Sequence, residues 1–307
     1  MAVEFCLAPA HPFPYQGSKR KLAPFILRFI PKNTACLIEP FAGSAAISIA
    51  AAATGRAERF LLNDIHRPLI DLWREILSRP RLLCEKYHRL WKEQKGQERL
   101  FYDKTRTRFN REHRPEDFLY LLARCVKAAV RYNGKGEFNN SPDNRRIGMH
   151  PAAMLRNIMG VSQLLSGLTD VRCDNYTTVL ATAGEIDLVY MDPPYQGVCG
   201  THNHRYHSGV DLHEFVESLA ALNHRSVSYI ISYDGRTGRK SHGRKLPRFL
   251  NLVHEEIFAG RSTQATLLGR KDETFESIYL SPALVQRLGK DFKHLPISSQ
   301  PQLQLFA

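Results

Sequence analysis

The fold of this chain is decided by residues 35–64, ACLIEPFAGSAAISIAAAATGRAERFLLND. Ala35–Glu39 is a short apolar run that predicts a buried strand, and Pro40 ends it because proline cannot continue a strand ladder. Residues 45–53 are rich in alanine and predict a helix, and Glu58–Leu62 predicts the next strand. This pattern begins a βαβ unit and predicts an α/β fold with a parallel sheet.

The spacing of one glycine and one acid in this stretch predicts a nucleoside site. Asp64 lies 21 residues after Gly43, near the separation at which an acid meets ribose hydroxyls in nucleoside-binding α/β folds. The second and third glycines of a dinucleotide fingerprint are absent. We therefore expect a cofactor without phosphates, because no glycine-rich phosphate cradle is present.

A second informative stretch is Asp192-Pro193-Pro194-Tyr195, which follows the apolar run Ile186–Met191. Two prolines cannot continue a sheet, so the chain leaves the predicted strand at its carboxyl end, where open α/β sheets bind ligands. A carboxylate, backbone carbonyls and an aromatic face suit a planar base that carries an exocyclic amine. The alternative is a simple strand end in which Asp192 caps the turn.

The composition favours a polyanionic partner. The formal net charge is +13, which favours nucleic acid, although a generally basic proteome would give the same sign. The six cysteines include no CxxC pair, so neither a disulfide framework nor a zinc ribbon is indicated, and reduced thiols fit the cytoplasm. We also expect no signal peptide and no membrane span.

The character of the sequence changes in the middle of the chain. Charged helical patterns occupy Glu85–Lys92, Arg106–Arg114 and Leu119–Val130, and a polar, turn-rich segment follows. We predict a sheet domain formed by residues 1–79 and 168–295, an inserted helical subdomain at 80–167, and a flexible tail at 296–307. In the second half of the sheet domain, strands are expected near Asp170, at Ile186–Tyr190 and at Ser226–Ser232, with a closing hairpin at Glu255–Phe258 and Glu276–Leu280.

Five motifs in this order resemble those of the Dam-like (D12 class, alpha-group) DNA adenine N6-methyltransferases. They are Phe13–Lys19 (FPYQGSK), Glu39–Ala45 (EPFAGSA), Leu62–Ile65 (LNDI), Arg131–Asn139 (RYNGKGEFN) and Asp192–Tyr195. The resemblance covers nearly the whole chain. Each motif alone is weak evidence, but the ordered set is specific. It implies a Rossmann-like S-adenosylmethionine-dependent methyltransferase sheet with an inserted DNA-recognition subdomain.

The resemblance also assigns roles to individual residues. It implies cofactor contacts from Tyr15, Lys19, Phe41, Gly43 and Asp64. In the segment Asp174-Asn175-Tyr176, we choose the register in which Asp174 accepts the amine of the cofactor adenine; the alternative is that Asp174 is a solvated turn acid. Asp192, Pro193, Pro194 and Tyr195 form the implied catalytic motif, in which Asp192 and a proline carbonyl accept the target amine and Tyr195 stacks on the base. Lys127, Arg131 and Lys135 are the expected DNA contacts.

The chain departs from the family pattern at two places. Ala45 stands where the family has a second glycine, and its methyl group either narrows the pocket or supports the helix, of which we favour the second. Residues 127–130 replace a turn that carries an aromatic residue and Asn-Gly in the Dam group. The adenine chemistry therefore carries over, but the recognition of GATC does not follow.

Two further segments have compositions that are typical of a metal site or of a DNA-binding loop. Cys199–His207 holds one thiol and three histidines, but all lie in one short loop with no distant pair of ligands, so we expect no metal site. Residues 236–248 contain six Lys or Arg and predict either a DNA-facing loop or a solvated one.

The sequence thus predicts a site-specific DNA adenine N6-methyltransferase that uses S-adenosylmethionine and double-stranded DNA. An RNA adenine N6-methyltransferase is the nearest alternative, since a flipped adenine can come from either polymer. A non-catalytic nucleic-acid-binding relative is the alternative from another class.

The last residues resemble a docking peptide. Gln302-Leu303-Gln304-Leu305-Phe306 is similar to the Gln-Leu-x-Leu-Phe pentapeptide with which bacterial proteins bind the replication sliding clamp. Gln302 would supply hydrogen bonds, while Leu303, Leu305 and Phe306 would fill apolar pockets. The alternative is a tail that packs on its own domain. The resemblance would place the protein in the cytoplasm of a bacterium or among phage-encoded proteins.

Overall fold

The structure is a computed structural model that describes residues 10–194, 210–237, 240–242, 246–261 and 273–289. Its centre is a mixed sheet of eight strands in the order β3-β2-β1-β4-β5-β8-β7, with β6 paired to β5. The strands are β1 Thr34–Glu39, β2 Ala57–Asn63, β3 Thr169–Arg172, β4 Leu188–Met191, β5 Ser228–Thr237, β6 Lys240–His242, β7 Val253–Arg261 and β8 Glu273–Leu280.

The first five strands of that order run parallel, whereas β6, β7 and β8 join by antiparallel pairing. The helices of the described residues are α1 Ala23–Ile26, α2 Ala46–Ala53, α3 Arg67–Ser78, α4 Pro80–Glu93, α5 Glu98–Glu112, α6 Pro115–Arg124, α7 Pro151–Leu165, α8 Tyr176–Thr182, α9 Leu212–His224 and α10 Pro282–Leu288. The prediction of an α/β fold with a Rossmann-like, largely parallel sheet is confirmed.

The order of the strands in the sheet reverses between β1 and β4, which we call the strand reversal. Strand β1 pairs with β2 on one side and β4 on the other, so the chain crosses over the sheet at this point. Ligands bind at the carboxyl ends of strands beside such a switch point. The ends of β1, β2 and β4 therefore define where a site is expected, and Glu39, Asn63 and Met191 are their last residues.

Helices α4–α7 occupy residues 80–165 and pack as a group beside α3. Their interior is aromatic: Tyr87, Tyr102, Phe109, Phe118 and Tyr120 are fully buried. The same hydrophobic cluster continues into the sheet through Leu37 and Leu188. The helical segment therefore shares its core with the sheet, and burial of this apolar surface holds the two together.

Several predicted elements have different bounds in the structure, and for two of them the local cause is visible. The helix expected over Leu119–Val130 ends at Arg124, because Cys125 is extended and Lys127 and Ala128 have φ values of 58° and 49°. The strand expected from Ile186 begins at Leu188, because the carboxylate of Asp187 accepts the Gly184 N–H and closes a turn. In both places a local turn interrupts the apolar pattern on which the prediction was based.

None of the helices in these ranges combines the length and apolarity that a membrane crossing requires. The cysteines that the structure describes, Cys36, Cys84, Cys125 and Cys173, are all free thiols.

Candidate active site

A cavity of about 530 Å³ opens at the carboxyl ends of β1, β2 and β4, within the usual range for small-molecule sites. Nine residues proposed from the sequence share its wall: Tyr15, Lys19, Phe41, Gly43, Asp64, Asp174, Asp192, Pro193 and Pro194. Lys127, Arg131 and Lys135 lie outside that wall. Tyr195 lies outside the described residues.

The loop after β1 is held by hydrogen bonds to the end of β2. The Gly43 N–H donates to Asp64 Oδ2 at 3.1 Å, and the His66 N–H donates to Asp64 Oδ1 at 3.0 Å. The indole of Trp73 donates to the Gly43 carbonyl at 2.9 Å. Burial raises the pKa of Asp64, while the two N–H donors lower it. The Asp64 carboxylate thus organises the loop as well as facing the cavity.

Ala45 precedes helix α2 and is fully buried, with a left-handed φ of 49°. Gly43 has the same φ, a region that costs an L-residue energy and that glycine adopts freely. The conformation explains why a second glycine suits this loop. Ala45 is not among the residues that line the cavity in the described chain, which supports the interpretation that its methyl group packs behind the loop.

Asn63, at the end of β2, joins the loops that follow β1 and β3. Its side chain donates to the carbonyls of Pro40 and Asp174, each at 3.0 Å, and accepts the Asp174 N–H at 2.8 Å. The next residue, Asn175, uses its side-chain oxygen to cap α8. Of these two residues, Asn175 is used to cap the helix and Asp174 is not. This difference favours the register chosen from the sequence.

Two aromatic rings form one end of the cavity. The rings of Phe41 and Tyr176 lie 5.2 Å apart at an angle of 34°, and Tyr176 also contacts Phe215. The exposed side chain of Ile65 lines the same cavity. An apolar surface of this kind suits a planar ring.

Asp192 follows β4 directly and belongs to an ionic cluster. Lys19 Nζ lies 3.3 Å from Asp192 Oδ1 and 2.9 Å from Glu276 Oε2. Beneath Asp192, the hydroxyls of Tyr190 and Ser232 are hydrogen-bonded at 2.7 Å in the buried sheet. Lys19, which the resemblance assigned to the cofactor, therefore contacts the proposed catalytic acid as well as the cavity.

Sequence reasoning missed Glu39 as a site residue. Its side chain is 2% exposed, lines the cavity floor and accepts the Ser48 N–H at 2.7 Å. Burial raises the pKa of Glu39 to about 7, and the nearby charge of Asp192 adds to the effect. The signal was present in the sequence, because Glu39 is an acid at the end of an otherwise apolar strand.

The cavity is acidic although the chain is basic. The ionisable acids and bases of its described wall are one lysine, Lys19, and six acids: Glu39, Asp64, Asp174, Asp192, Asp211 and Glu214. A wall of this charge favours a cationic ligand and opposes a phosphate. The electrostatics therefore agree with the absence of a phosphate-binding fingerprint.

The polar segment Arg131–Asn139 forms a short hairpin. Tyr132 and Phe138 pair across it, and the Asn133 side chain accepts the N–H groups of Lys135 and Glu137. Lys127 and Lys135 are exposed, and Arg131 is half-buried. The hairpin is therefore a preorganised turn that presents Lys135 to solvent.

Two contacts connect this region with the cavity loops. The Gln16 N–H donates to the Ala128 carbonyl at 3.0 Å, and the His66 ring is hydrogen-bonded to the Tyr132 hydroxyl. Gln16 lines the cavity, and the His66 N–H also binds Asp64. The expected DNA-contacting segment and the cavity are thus neighbours in the structure.

Several predictions fall outside the described residues. These are the Cys199–His207 loop, the side chains of most of residues 236–248, and the tail with Gln302, Leu303, Leu305 and Phe306.

Comparisons with known proteins agree with the geometry. A family model described as D12 class N6 adenine-specific DNA methyltransferase matches residues 15–266. The chain is 28% identical over 266 residues to a DNA N-6-adenine-methyltransferase of Escherichia phage P1, which covers 81% of this chain and 32% of the phage protein. It is 29% identical over 193 residues to the DNA adenine methylase of Salmonella typhi, covering 62% of this chain and 66% of that enzyme.

A third relative is the modification methylase StsI of Streptococcus sanguinis, 27% identical over 198 residues, with 62% of this chain and 29% of that protein covered. The chain thus spans about a third of the phage P1 relative and just under two thirds of the Salmonella enzyme.

Proposed function

This chain belongs to the D12 class N6 adenine-specific DNA methyltransferases, and from that membership we propose that it methylates the N6 amine of adenine at specific sites in duplex DNA. The observation that carries the proposal is the position of Asp192, Pro193 and Pro194 in the wall of an acidic cavity beside the strand reversal. A base that enters there meets a carboxylate acceptor at the end of β4.

The family implies a methyl donor of the S-adenosylmethionine type, and the residues present fit S-adenosylmethionine. Its cationic sulfonium and amino groups suit the acidic wall, in which Glu39 is a buried carboxyl. Asp64 would hold the ribose hydroxyls, Asp174 the adenine amine, and Phe41 with Tyr176 the adenine ring. When bound, the donor supplies an electrophilic methyl group to the target nitrogen.

The chain's own residues would activate and position the target amine. An adenine amine is a poor nucleophile because its lone pair is delocalised into the ring. Asp192 and a proline carbonyl, of Pro193 or Pro194, would accept hydrogen bonds from its two N–H groups and localise that lone pair on nitrogen, and Tyr195 would stack on the base. As the nitrogen gains positive charge, an ionised Asp192 stabilises it, and the amine proton that the methyl group replaces then leaves to Asp192 or to solvent. Catalysis therefore rests on positioning and electrostatics.

A duplex hides the adenine amine, so the base has to leave the stack, at a cost of a few kcal/mol. We assign DNA contacts to Lys127, Arg131 and Lys135. Two of them, Lys127 and Lys135, are exposed, and the hairpin that carries Lys135 adjoins the cavity through Tyr132 and His66. We propose on the same grounds that residues 80–167 act as an inserted recognition subdomain between the two parts of a catalytic domain at 1–79 and 168–295.

One experiment tests the activity. Unmethylated genomic DNA is incubated with the protein and S-adenosylmethionine, and modified bases are mapped by single-molecule sequencing. We expect N6-methyladenine at one short sequence. Transfer to RNA alone would favour the RNA methyltransferase, and saturable cofactor binding without transfer to either polymer would favour the non-catalytic relative.

A second proposed partner is the bacterial sliding clamp, on the sequence of residues 302–306 alone. The test is a polarisation titration of a peptide of residues 296–307 against a bacterial clamp, beside a peptide with Leu305 and Phe306 changed to Ala. Binding of the first peptide only is expected, and equal or absent binding of both would dispose of the idea. Such a partner would place the protein, bacterial or phage-encoded, in the cytoplasm of a bacterial cell.

A further inference from the structure

The ammonium group of Lys19 lies between two carboxylates, of which one lines the cavity and the other does not. It lies 3.3 Å from Oδ1 of Asp192, the proposed acceptor of the target amine, and 2.9 Å from Oε2 of Glu276. The Lys19 side chain is 10% exposed, and those of Asp192 and Glu276 are 22% and 24% exposed. Partly buried charges of this kind interact more strongly than solvated surface pairs.

Glu276 is held in place by the sheet. It lies on β8 opposite Gly235 of β5, next to an irregularity in the pairing between Ser232 and Gly235. A Cβ atom at Gly235 would come within 2.7 Å of the Phe275 carbonyl oxygen, so the two strands approach closely there because residue 235 is glycine. Among the described residues, the cavity wall includes Lys19 and Asp192 but not Glu276. The ion pair with Lys19 therefore connects Glu276 to that wall.

The position of Lys19 creates a competition. A lysine ammonium is only a donor of hydrogen bonds, and so is the amine that Asp192 has to accept. Both donors require lone pairs of the same carboxylate, of which Oδ1 already faces Lys19 at 3.3 Å. An ionised carboxylate has two oxygens that can each accept more than one donor, so the target amine depends on acceptor positions of Asp192 that Lys19 does not occupy, those of Oδ2 in particular.

Building on the proposed methyl transfer, we propose that Glu276 is a positioning residue that retains the Lys19 ammonium and so leaves Asp192 able to accept the target amine. The Lys19 charge still stabilises the ionised Asp192 from the side. With Glu276 neutral, Asp192 becomes the stronger attraction for the ammonium, and the lysine closes on the acceptor oxygen that the base needs.

The kinetic test is Glu276→Gln, which preserves the size of the side chain and removes its charge. Under single-turnover conditions with saturating DNA and cofactor, we expect the transfer rate to fall about tenfold, the scale of one charge-assisted hydrogen bond. Cofactor affinity should be unchanged. Glu276→Asp retains the charge and should recover part of the rate. The matched control is Glu255→Gln on β7, the other strand of the same hairpin. Glu255, like Glu276, is not among the described residues of the cavity wall.

A double-mutant cycle separates positioning from a general structural role. If Glu276 acts through Lys19, Glu276→Gln should have no further effect in a Lys19→Met background. An equal rate loss in both backgrounds, an unchanged rate in the single variant, or a loss confined to cofactor affinity would each overturn the proposal.

A third measurement does not depend on methyl transfer. Acetylation of Lys19 by acetic anhydride is followed by peptide mass spectrometry in the full chain, with Lys135 as the exposed internal reference. Loss of one carboxylate partner should make Lys19 in Glu276→Gln react severalfold faster relative to Lys135. An unchanged ratio would refute the shared ion pair while leaving the proposed activity intact. A normal ion pair in a chain that methylates no DNA would instead refute the activity.

Discussion

The N–H group of Gly43 donates to Oδ2 of Asp64 at 3.1 Å, so the loop after the first strand is closed by the acid that follows the second. The spacing of these two residues predicted a ribose-binding acid. The structure adds a second role, because the same carboxylate also accepts the His66 N–H. Loss of Asp64 would therefore affect both the proposed ligand and the loop that surrounds it.

Asp64→Ala is expected to weaken S-adenosylmethionine binding by at least tenfold, about 1.4 kcal/mol, and to spare DNA binding. Isothermal titration calorimetry measures the first and fluorescence polarisation the second. Asp170→Ala, which removes an exposed acid from the neighbouring strand, is the control and should bind the cofactor normally. An unchanged cofactor affinity in Asp64→Ala would remove Asp64 from the site.

Asp192→Ala should reduce methyl transfer by roughly 10²- to 10³-fold or more, the scale of losing one preorganised group in a transition state. Cofactor binding should persist because Asp192 is proposed to meet the target amine. Tyr195→Ala should cost about 1–3 kcal/mol of base stacking. Single-turnover assays measure both, with Glu185→Ala, an exposed acid before β4, as the control. Near-normal turnover in Asp192→Ala would contradict the mechanism.

Lys127→Ala and Arg131→Ala should lower discrimination between target sequences more than they lower basal transfer. Removal of a residue that contacts only phosphate would instead weaken binding to all sequences. It would also reduce the slope of log K against log salt concentration by about one. Transfer rates on a panel of DNA duplexes with altered flanking bases measure this. Arg81→Ala, which removes an exposed positive charge on α4, is the control. Constant discrimination in both variants would move recognition elsewhere, to residues 236–248 first.

The buried Glu39 should make the protein less stable as pH rises. Its pKa is raised from 4.5 to about 7, so the folded state retains a proton that the unfolded chain loses first. The contribution of Glu39 to the free energy of unfolding is then greatest below about pH 4.5. It falls as the pH rises to about 7, and the total loss is about 3 kcal/mol. Urea denaturation of the wild type and of Glu39→Gln, each at about pH 4.5 and at about pH 8, should show this loss in the wild type and not in the variant. A pH dependence identical to that of the wild type would contradict the assignment.

Gly43→Ala and Ala45→Gly form a matched pair, since both positions have φ near 49°. Gly43→Ala introduces left-handed strain of about 1–2 kcal/mol, and its Cβ would lie 3.3 Å from the Tyr15 ring. Ala45→Gly removes strain of that size but loses a buried methyl of about 0.8 kcal/mol and adds chain entropy of about 0.4–1 kcal/mol. Urea denaturation should therefore show a loss for Gly43→Ala and little change for Ala45→Gly. Equal losses would mean that strain does not govern this loop.

Local patterns determined most of the architecture from the sequence. The strands and helix of residues 34–63 and the closing hairpin follow from apolar periodicity and alanine content, which act over a few residues. The Asp192-Pro193-Pro194 turn follows from the inability of proline to continue a strand. These signals need no distant partner, so they can be identified in the amino-acid order alone.

Only the tertiary structure decided which side chains share one environment. Lys19, Asp192 and Glu276 are remote in sequence, and their ion pairs arise because β8 returns antiparallel beside β5 at the end of the parallel sheet. The raised pKa of Glu39 likewise comes from burial under the same cavity. Desolvation and Coulomb interactions depend on distance and on the surrounding medium, which chain folding sets and residue order does not.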